Sequence, residues 1–364
     1  MRSETFRWHA YRVSRLAVVA LTASMLINPV SSAFAQQSPT ANDGVSDIQV
    51  TARRIENYQR GFGSTKQFGR LEFRGGLVMS SSDARFGGFS GLIVSPDGRR
   101  LLAVSDQGHW LSGEIEHAGK APSGIGKARM GPILALNGKP LTRKRDADAE
   151  DLALLSGTLK SGVALVAFER NRRIARHTVL NGELGKATSL VTLPPGARRT
   201  KSNTGLEALT VLRGGPFRGA IVTFAEDLRD ANDHHTGWLL GTGAPKQLAF
   251  KDIGGFALTG AASLDDGSVV ILERRFRMSE GVKMRLRLVP ADELKPGRVI
   301  EGETLIFSDM SYEIDNMEAV AVHKAPTGET VITLMSDDNY NKFLQRNLLL
   351  QFTLLPPGAK STSR

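Results

Sequence analysis

The sequence contains no cysteine, so no disulfide framework can form and no cysteine-linked lipid anchor is available. Aromatic residues make up only 6% of the chain, against 38 glycines. That balance suits a turn-rich β protein better than a helical one. Several compact enzyme signatures are also missing. There is no His-Glu-x-x-His, no Gly-x-Ser-x-Gly, no Walker loop and no dinucleotide-binding glycine fingerprint. Gly88-Phe89-Ser90-Gly91 departs from the serine-hydrolase pattern, and adjacent histidines such as His234-His235 rarely share one zinc ion. Beyond the N-terminal region, no apolar run is long enough to span a bilayer.

The N-terminal region itself reads as a secretory signal over residues 1–35. Arg2, Arg7, Arg12 and Arg15 form a basic start, residues 16–27 are an apolar run of 12, and Ala33-Phe34-Ala35 is a small-x-small cleavage site before Gln36. The expectation is a periplasmic or secreted monomer with no stable membrane insertion after cleavage. The formal charge is +10, and removing four arginines and one glutamate with the signal leaves +7. The basic residues are scattered and are not interleaved with aromatics, which argues against nucleic acid as a partner. They fit a solvated basic surface, with attraction of an anionic small-molecule ester as the functional reading. Residues 36–68 are polar and weakly periodic and read as a flexible leader, residues 69–357 as one repeat array, and 358–364 as a tail.

The array is defined by acids at fixed spacing. Glu150, Glu207 and Glu318 each open an apolar segment, and Glu169, Glu226 and Asp337 each follow 19 residues later. The strings EDLALLSGTLKSGVALVAFER, EALTVLRGGPFRGAIVTFAED and EAVAVHKAPTGETVITLMSDD read as strand, glycine-containing turn, strand. A hairpin brings its first and last residues to one end, so both acids of each pair meet at one rim. Two further copies lack the opening glutamate: Ser90 with Asp106, and Thr259 with Glu273, around the turns Pro96-Asp97-Gly98 and Asp265-Asp266-Gly267. The starts at 90, 150, 207, 259 and 318 are 60, 57, 52 and 59 residues apart. That period predicts an all-β propeller of four-stranded blades. Third strands are expected at 109–115, 174–180, 238–243, 284–289 and 348–353, and fourth strands at 131–136, 189–193, 247–250 and 304–307. The fifth repeat runs out of chain, and residues 71–79 stand ahead of the first. Five blades closed by that N-terminal strand are expected, with a sixth, degenerate blade from 47–85 as the alternative.

In such a ring the first strand of each blade lines the channel, so the opening glutamates should circle one mouth. Asp106, Glu169, Glu226, Glu273 and Asp337 should sit beside them. Carboxylates so crowded must be neutralised by cations, by arginine or by protonation. Oxygen ligands without cysteine favour Ca2+, with Mg2+ or Mn2+ as alternatives, over zinc. Acids that accept backbone hydrogen bonds between blades are the structural reading of the same pattern.

The strings FSGLIVSPDGRRLLAVSDQG, DAEDLALL, FERNRRI, NTGLEALTVL, LTGAASL, NMEAVAVH and MSDDNYN resemble the bacterial family of esterase-like, phytase-like domain proteins, from about Phe86 to the C-terminus. The resemblance implies a secreted propeller with phosphoesterase activity. The β-propeller phytases, which are similar, use a Ca2+-rich acidic mouth. On this reading Glu207, Glu226, Glu318 and Asp337, with Asp106 and Glu273, hold metal. Glu150 or Glu169 is the general base, and Arg170, Arg274 and Asn339 hold the substrate. Two other readings stay open: a non-catalytic propeller that binds a ligand or protein at the mouth, and a Ca2+-dependent lactonase or sugar-ester hydrolase.

Overall fold

The computed structural model describes residues 44–198 and 205–358, with 62 and 64 excepted; the signal segment and residues 359–364 lie outside the described residues. Five antiparallel sheets form a ring of blades. From the channel outward, blade I is Phe89–Val94, Arg100–Ser105, His109–Ala118 and Ala121–Pro132. Blade II is Ala149–Gly157, Ser161–Phe168, Arg173–Leu180 and Glu183–Leu190. Blade III is Leu206–Val211, Ile221–Arg229, His235–Leu240 and Lys246–Phe250, to which Val299–Ile300 adds in parallel. Blade IV is Ala257–Ser263, Val269–Arg277, Gly281–Val289 and Glu303–Ser308. Blade V takes Asn316–Lys324, Thr330–Asp337 and Asn347–Leu354 from the C-terminal end of the chain and Leu71–Ser80 from the N-terminal end. The innermost strands of neighbouring blades touch all the way round, including that of blade V against that of blade I.

Most inner and second strands are near-continuous apolar runs because blades pack on both of their faces. Leu101, Ala103, Leu111 and Met130 of blade I, for example, share one core cluster with Ala319, Met335 and Leu349 of blade V. The joint between the two ends of the chain is also tied from outside. Ser46–Asp47 pairs with the outer strand of blade I, and Thr51–Ile55 pairs with Leu71–Ser80 of blade V. This part of the expected flexible leader is therefore ordered strand. Its period-2 pattern is short, and its partners lie far away in sequence, so only the pairing reveals it. Two expected fourth strands are also displaced. The strand in blade I is 121–132, rather than 131–136, and that in blade II is 183–190, rather than 189–193. The blade II turn is Asn181-Gly182, both at positive φ (53° and 89°), the geometry of a tight hairpin that asparagine and glycine tolerate.

Candidate functional site

Each inner strand carries a register irregularity at the same place. The pairings skip Ser90 in blade I, Glu150 in blade II, Glu207 in blade III, Thr259 in blade IV and Glu318 in blade V. One extra residue at this point is a β-bulge, which re-aims a side chain that would otherwise follow the pleat. The five repeat-opening residues are thus the five bulged residues. The two neutral ones tie blade to blade: Ser90 Oγ donates to Ala149 O at 2.5 Å and Thr259 Oγ1 to Met317 O at 3.2 Å. The three glutamates stand near one another at the mouth.

The residue before each bulge pairs with Ser105, Phe168, Ala225, Glu273 and Ser336 in turn. The residue after each of these belongs to the second ring: Asp106, Glu169, Glu226, Arg274 and Asp337. In blade IV the ring position is therefore Arg274, and the expected metal ligand Glu273 is one residue out. A one-residue slip turns a strand side chain to the opposite face. Glu273 is fully buried there and paired with two guanidinium groups. Arg285 Nε meets Glu273 Oε2 at 2.6 Å, and Arg287 Nη2 meets Oε1 at 2.6 Å, with further hydrogen bonds from both arginines. It is a structural ion pair, and the assignment of Glu273 to a metal is corrected.

The mouth acids sit together and are pushed toward protonation. Burial drives the Glu150 carboxyl well above the ordinary range, and Glu318, Asp148, Glu169 and Asp106 push it further. Glu207 is raised by burial and then by Glu226, Glu150 and Glu318, with Arg274 partly offsetting. Burial raises Glu318, held down by Arg274 at 3.4 Å and by the Asn316 amide at 2.8 Å. Burial likewise raises Asp337, next to Glu318 and Asp106, although the Asn339 backbone N–H donates to its Oδ1 at 2.6 Å. Asn339 meets the mouth through this backbone contact, and its side chain is on the exposed rim. Glu169 is raised to about 7, chiefly by burial and by Asp148 beside it.

Asp148 and Lys144 were not singled out from the sequence, although Asp148 stands in the string DAEDLALL. The short helix Lys144–Ala147 ends with Asp148 as its C-cap, which carries the Asp148 side chain into the site. Lys144 Nζ bridges Asp106 Oδ2 at 2.5 Å and Asp148 Oδ1 at 2.6 Å, and Arg170 Nε reaches Asp148 Oδ2 at 2.7 Å. Lys144 only partly offsets the burial that raises Asp106. Asp148, Glu150 and Glu169 each offer an oxygen within 4.8 Å of the others. Among the described residues this is the group with metal-ligand spacing. Glu207, Glu226, Glu318, Asp337 and Asp106 surround it without belonging to it.

The glycine loop beside the site has no room for a side chain. Gly88 lies at φ +64°, and a Cβ there would fall 2.3 Å from Asp106 Oδ1. Below the mouth the character changes. Asp151, also missed in the sequence, is buried and accepts the backbone N–H of Leu152 at 2.7 Å and of Leu209 at 2.6 Å, and that of Ala261. Beneath it the channel is an apolar cavity of about 120 Å³ lined from all five inner strands, by Leu92, Leu152, Val211, Ala262 and Val320 among others.

The family described as "Phytase-like: Esterase-like activity of phytase" matches residues 84–340, well over half the chain. No curated protein matches. Among solved structures, the dihydro-heme d1 dehydrogenase NirN in complex with DHE is 15% identical, with a TM-score of 0.32, over 78% of this chain. This chain spans 54% of that one, about half its length. The β-propeller domain of Myceliophteria thermophila Cps50 (Swd1) is 10% identical over 82% of this chain and 99% of that one, with a TM-score of 0.34. U3-55K is 9% identical over 74% and 96%, with a TM-score of 0.37.

Proposed function

Because this chain belongs to the phytase-like family, we propose that it is an exported, divalent-metal-dependent hydrolase of phosphate esters acting at the acidic mouth. The observation that carries this reading is the close trio Asp148, Glu150 and Glu169 within a cluster whose negative charge the protein only partly neutralises. Eight carboxylates gather there, counting Asp106, Glu207, Glu226, Glu318 and Asp337. Lys144, Arg170 and Arg274 contact members of the cluster. Oxygens that share one Ca2+ at roughly 2.3–2.6 Å lie at most about 5 Å apart, so the trio fits such an ion. The donor set is all carboxylate oxygen, which suits Ca2+, Mg2+ or Mn2+.

A metal held by the trio supplies Lewis acidity toward a phosphoryl oxygen and a lowered pKa for water. The protein's own groups do the rest. Lys144 and Arg170 fix Asp148 from both sides, so one ligand is held in place before any ion arrives. Arg170 is partly exposed beside the trio and takes a substrate oxygen, as Arg274 does from blade IV. Glu207 stands outside the trio but close to Glu150, and it is the group placed to accept the proton of an attacking water. Asp151 and the apolar waist keep the reacting ester at the mouth. The choice of phosphate over carboxylate esters rests on those cations, which match a multiply charged anion.

The test is phosphate release from para-nitrophenyl phosphate by the purified protein, with para-nitrophenyl acetate alongside, in Ca2+, Mg2+, Mn2+ or EDTA. Turnover of the phosphate ester that EDTA abolishes and Asp148→Asn removes is the expected result. Turnover that survives EDTA overturns the metal. Turnover of the acetate alone overturns the substrate class. A metal-dependent rise in the unfolding midpoint without turnover of either ester makes the protein a binding propeller.

A further inference from the structure

Each second strand ends beside the mouth acids, so the connections from second to third strands, and those from one blade to the next, lie at the mouth end of the ring. Eleven large apolar side chains are exposed among the described residues, and six of them stand at the mouth end of blades IV and V. Met278, at the tip between Val269–Arg277 and Gly281–Val289, is 91% exposed. Phe343 and Leu344, between Thr330–Asp337 and Asn347–Leu354, are 95% and 71% exposed. Phe276, Phe307 and Met310 complete the set. Contacts join these segments into one surface. Met310 lies against the blade IV tip, where a Cβ on Gly281 would fall 3.0 Å from its Cγ. Arg346 ties the blade V connection to the segment between blades IV and V, reaching Glu313 at 2.6 Å and Ile314 O at 3.0 Å. Apolar side chains exposed together on one face mark a contact surface.

The charges beside them point to the partner. A basic residue immediately precedes each tip: Arg277 before Met278, and Lys342 before Phe343. At the blade IV tip Glu280 is shared by Arg275 at 2.7 Å, Arg277 at 3.1 Å and Lys283. Asp309 adds a second carboxylate near Lys283. Arg60 and Arg346 match Glu313 and Asp315. With Lys342, six cations face four carboxylates on this surface. The blade III connection at the same end carries Asp230 and Asp233 and none of the exposed apolar side chains. The mouth acids are buried or half-buried and lie nearer the channel. Separate apolar tips, each with a cation beside it, do not form the continuous face on which a protein partner packs. They suit a lipid surface, where apolar side chains enter the acyl boundary while lysine and arginine stay at anionic headgroups.

We propose that the mouth end of blades IV and V docks on an anionic phospholipid bilayer. Met278, Phe343 and Leu344 enter it, and Arg277 and Lys342 meet its headgroups.

The apolar run at 16–27 would itself bind lipid, so the test uses residues 36–364, which hold every described strand. The protein is floated with vesicles of phosphatidylcholine containing phosphatidylglycerol, and with vesicles of phosphatidylcholine alone. EDTA is present throughout, so no metal at the mouth bridges protein to lipid and the outcome is independent of any hydrolase activity. Saturable binding to the anionic vesicles is expected, with weaker binding to the neutral ones. Replacing both Phe343→Ser and Leu344→Ser should weaken binding at least about tenfold. Lys342→Gln should weaken it about fivefold, the scale of one basic residue at an anionic surface. Leu180→Ser, at the opposite end of the ring and 62% exposed, should leave it unchanged. No binding to anionic vesicles, equal binding to neutral ones, unchanged binding in the double variant, or loss of binding in Leu180→Ser would each overturn the proposal. Self-association without lipid binding, abolished by the same double substitution, would make this face a protein interface and overturn it too.

Discussion

Glu273 in blade IV, fully buried, and Glu150 in blade II, half-buried at the mouth, stand at the same end of equivalent hairpins, and the protein treats them oppositely. Glu273 has each oxygen on a guanidinium group, from Arg285 and Arg287, both in the neighbouring strand of its own blade. Glu150 has Glu318, Asp148, Glu169 and Asp106 as its nearest charges, and no cation contacts it among the described residues. A carboxylate neutralised by its own sheet has its charge spent on the fold. Carboxylates crowded without counter-charge destabilise the empty protein, and an arrangement of that kind is found where a cation from outside completes it. The presence or absence of a counter-charge separates a structural acid from a site acid.

The largest effect that sharpens this contrast is at Glu273. Glu273→Ala strands two buried guanidinium groups and should cost about 3–5 kcal/mol in urea unfolding. Glu150→Gln, measured in EDTA, should cost nothing and raise stability by relieving repulsion. Equal losses in the two variants would erase the distinction. The next effect is metal linkage. Ca2+ at about one hundred times its Kd should stabilise the protein by about 2.7 kcal/mol, and Asp148→Asn should abolish that gain. Glu318→Gln, outside the trio and already engaged by Arg274 and Asn316, should only reduce it.

pH gives a third and smaller handle. The mouth carboxyls have folded pKa values above their unfolded ones, Glu169 at about 7. Between the ordinary carboxylate range and these raised values the folded state binds more protons than the unfolded state. Stability without metal should therefore fall as pH rises from about 5 to 8. Ca2+ should flatten that slope, and Glu169→Gln should make it shallower. Thermal midpoints in EDTA across this range test it, and a flat profile would show that the acids are neutralised in some other way. The smallest effect is at the neutral ring positions. Ser90→Ala removes one buried hydrogen bond to Ala149 O and should cost about 1 kcal/mol, with metal stabilisation intact.

Much of this architecture was legible in the chain. The recurrence of repeat starts at 90, 150, 207, 259 and 318, three of them glutamates with an acid 19 residues on, is a local pattern. It contains the blade count and the gathering of those acids at one mouth. The blade IV copy misled by a single residue. Its hairpin is shorter, so spacing alone aligned Glu273 where the register places Arg274. Asp148 was hidden for another reason. Nothing in DAEDLALL says that a helix of four residues will cap on it and turn it toward Glu150 and Glu169. The strands of the leader, Ser46–Asp47 and Thr51–Ile55, were lost because their pairing partners lie 21 or more residues away.

The sequence by itself determined the repeat, and with it a closed ring of strand pairs whose ends carry acids. Periodicity is written in neighbouring residues, and the hydrophobic alternation that goes with it leaves few other ways to bury the strands. Only the tertiary structure decided which acids act as a group. That choice depends on five bulges, on a one-residue register and on which strand brings an arginine within reach. Each of these is a relation between residues distant in the chain, set by packing and hydrogen bonding across the sheet rather than by local preference.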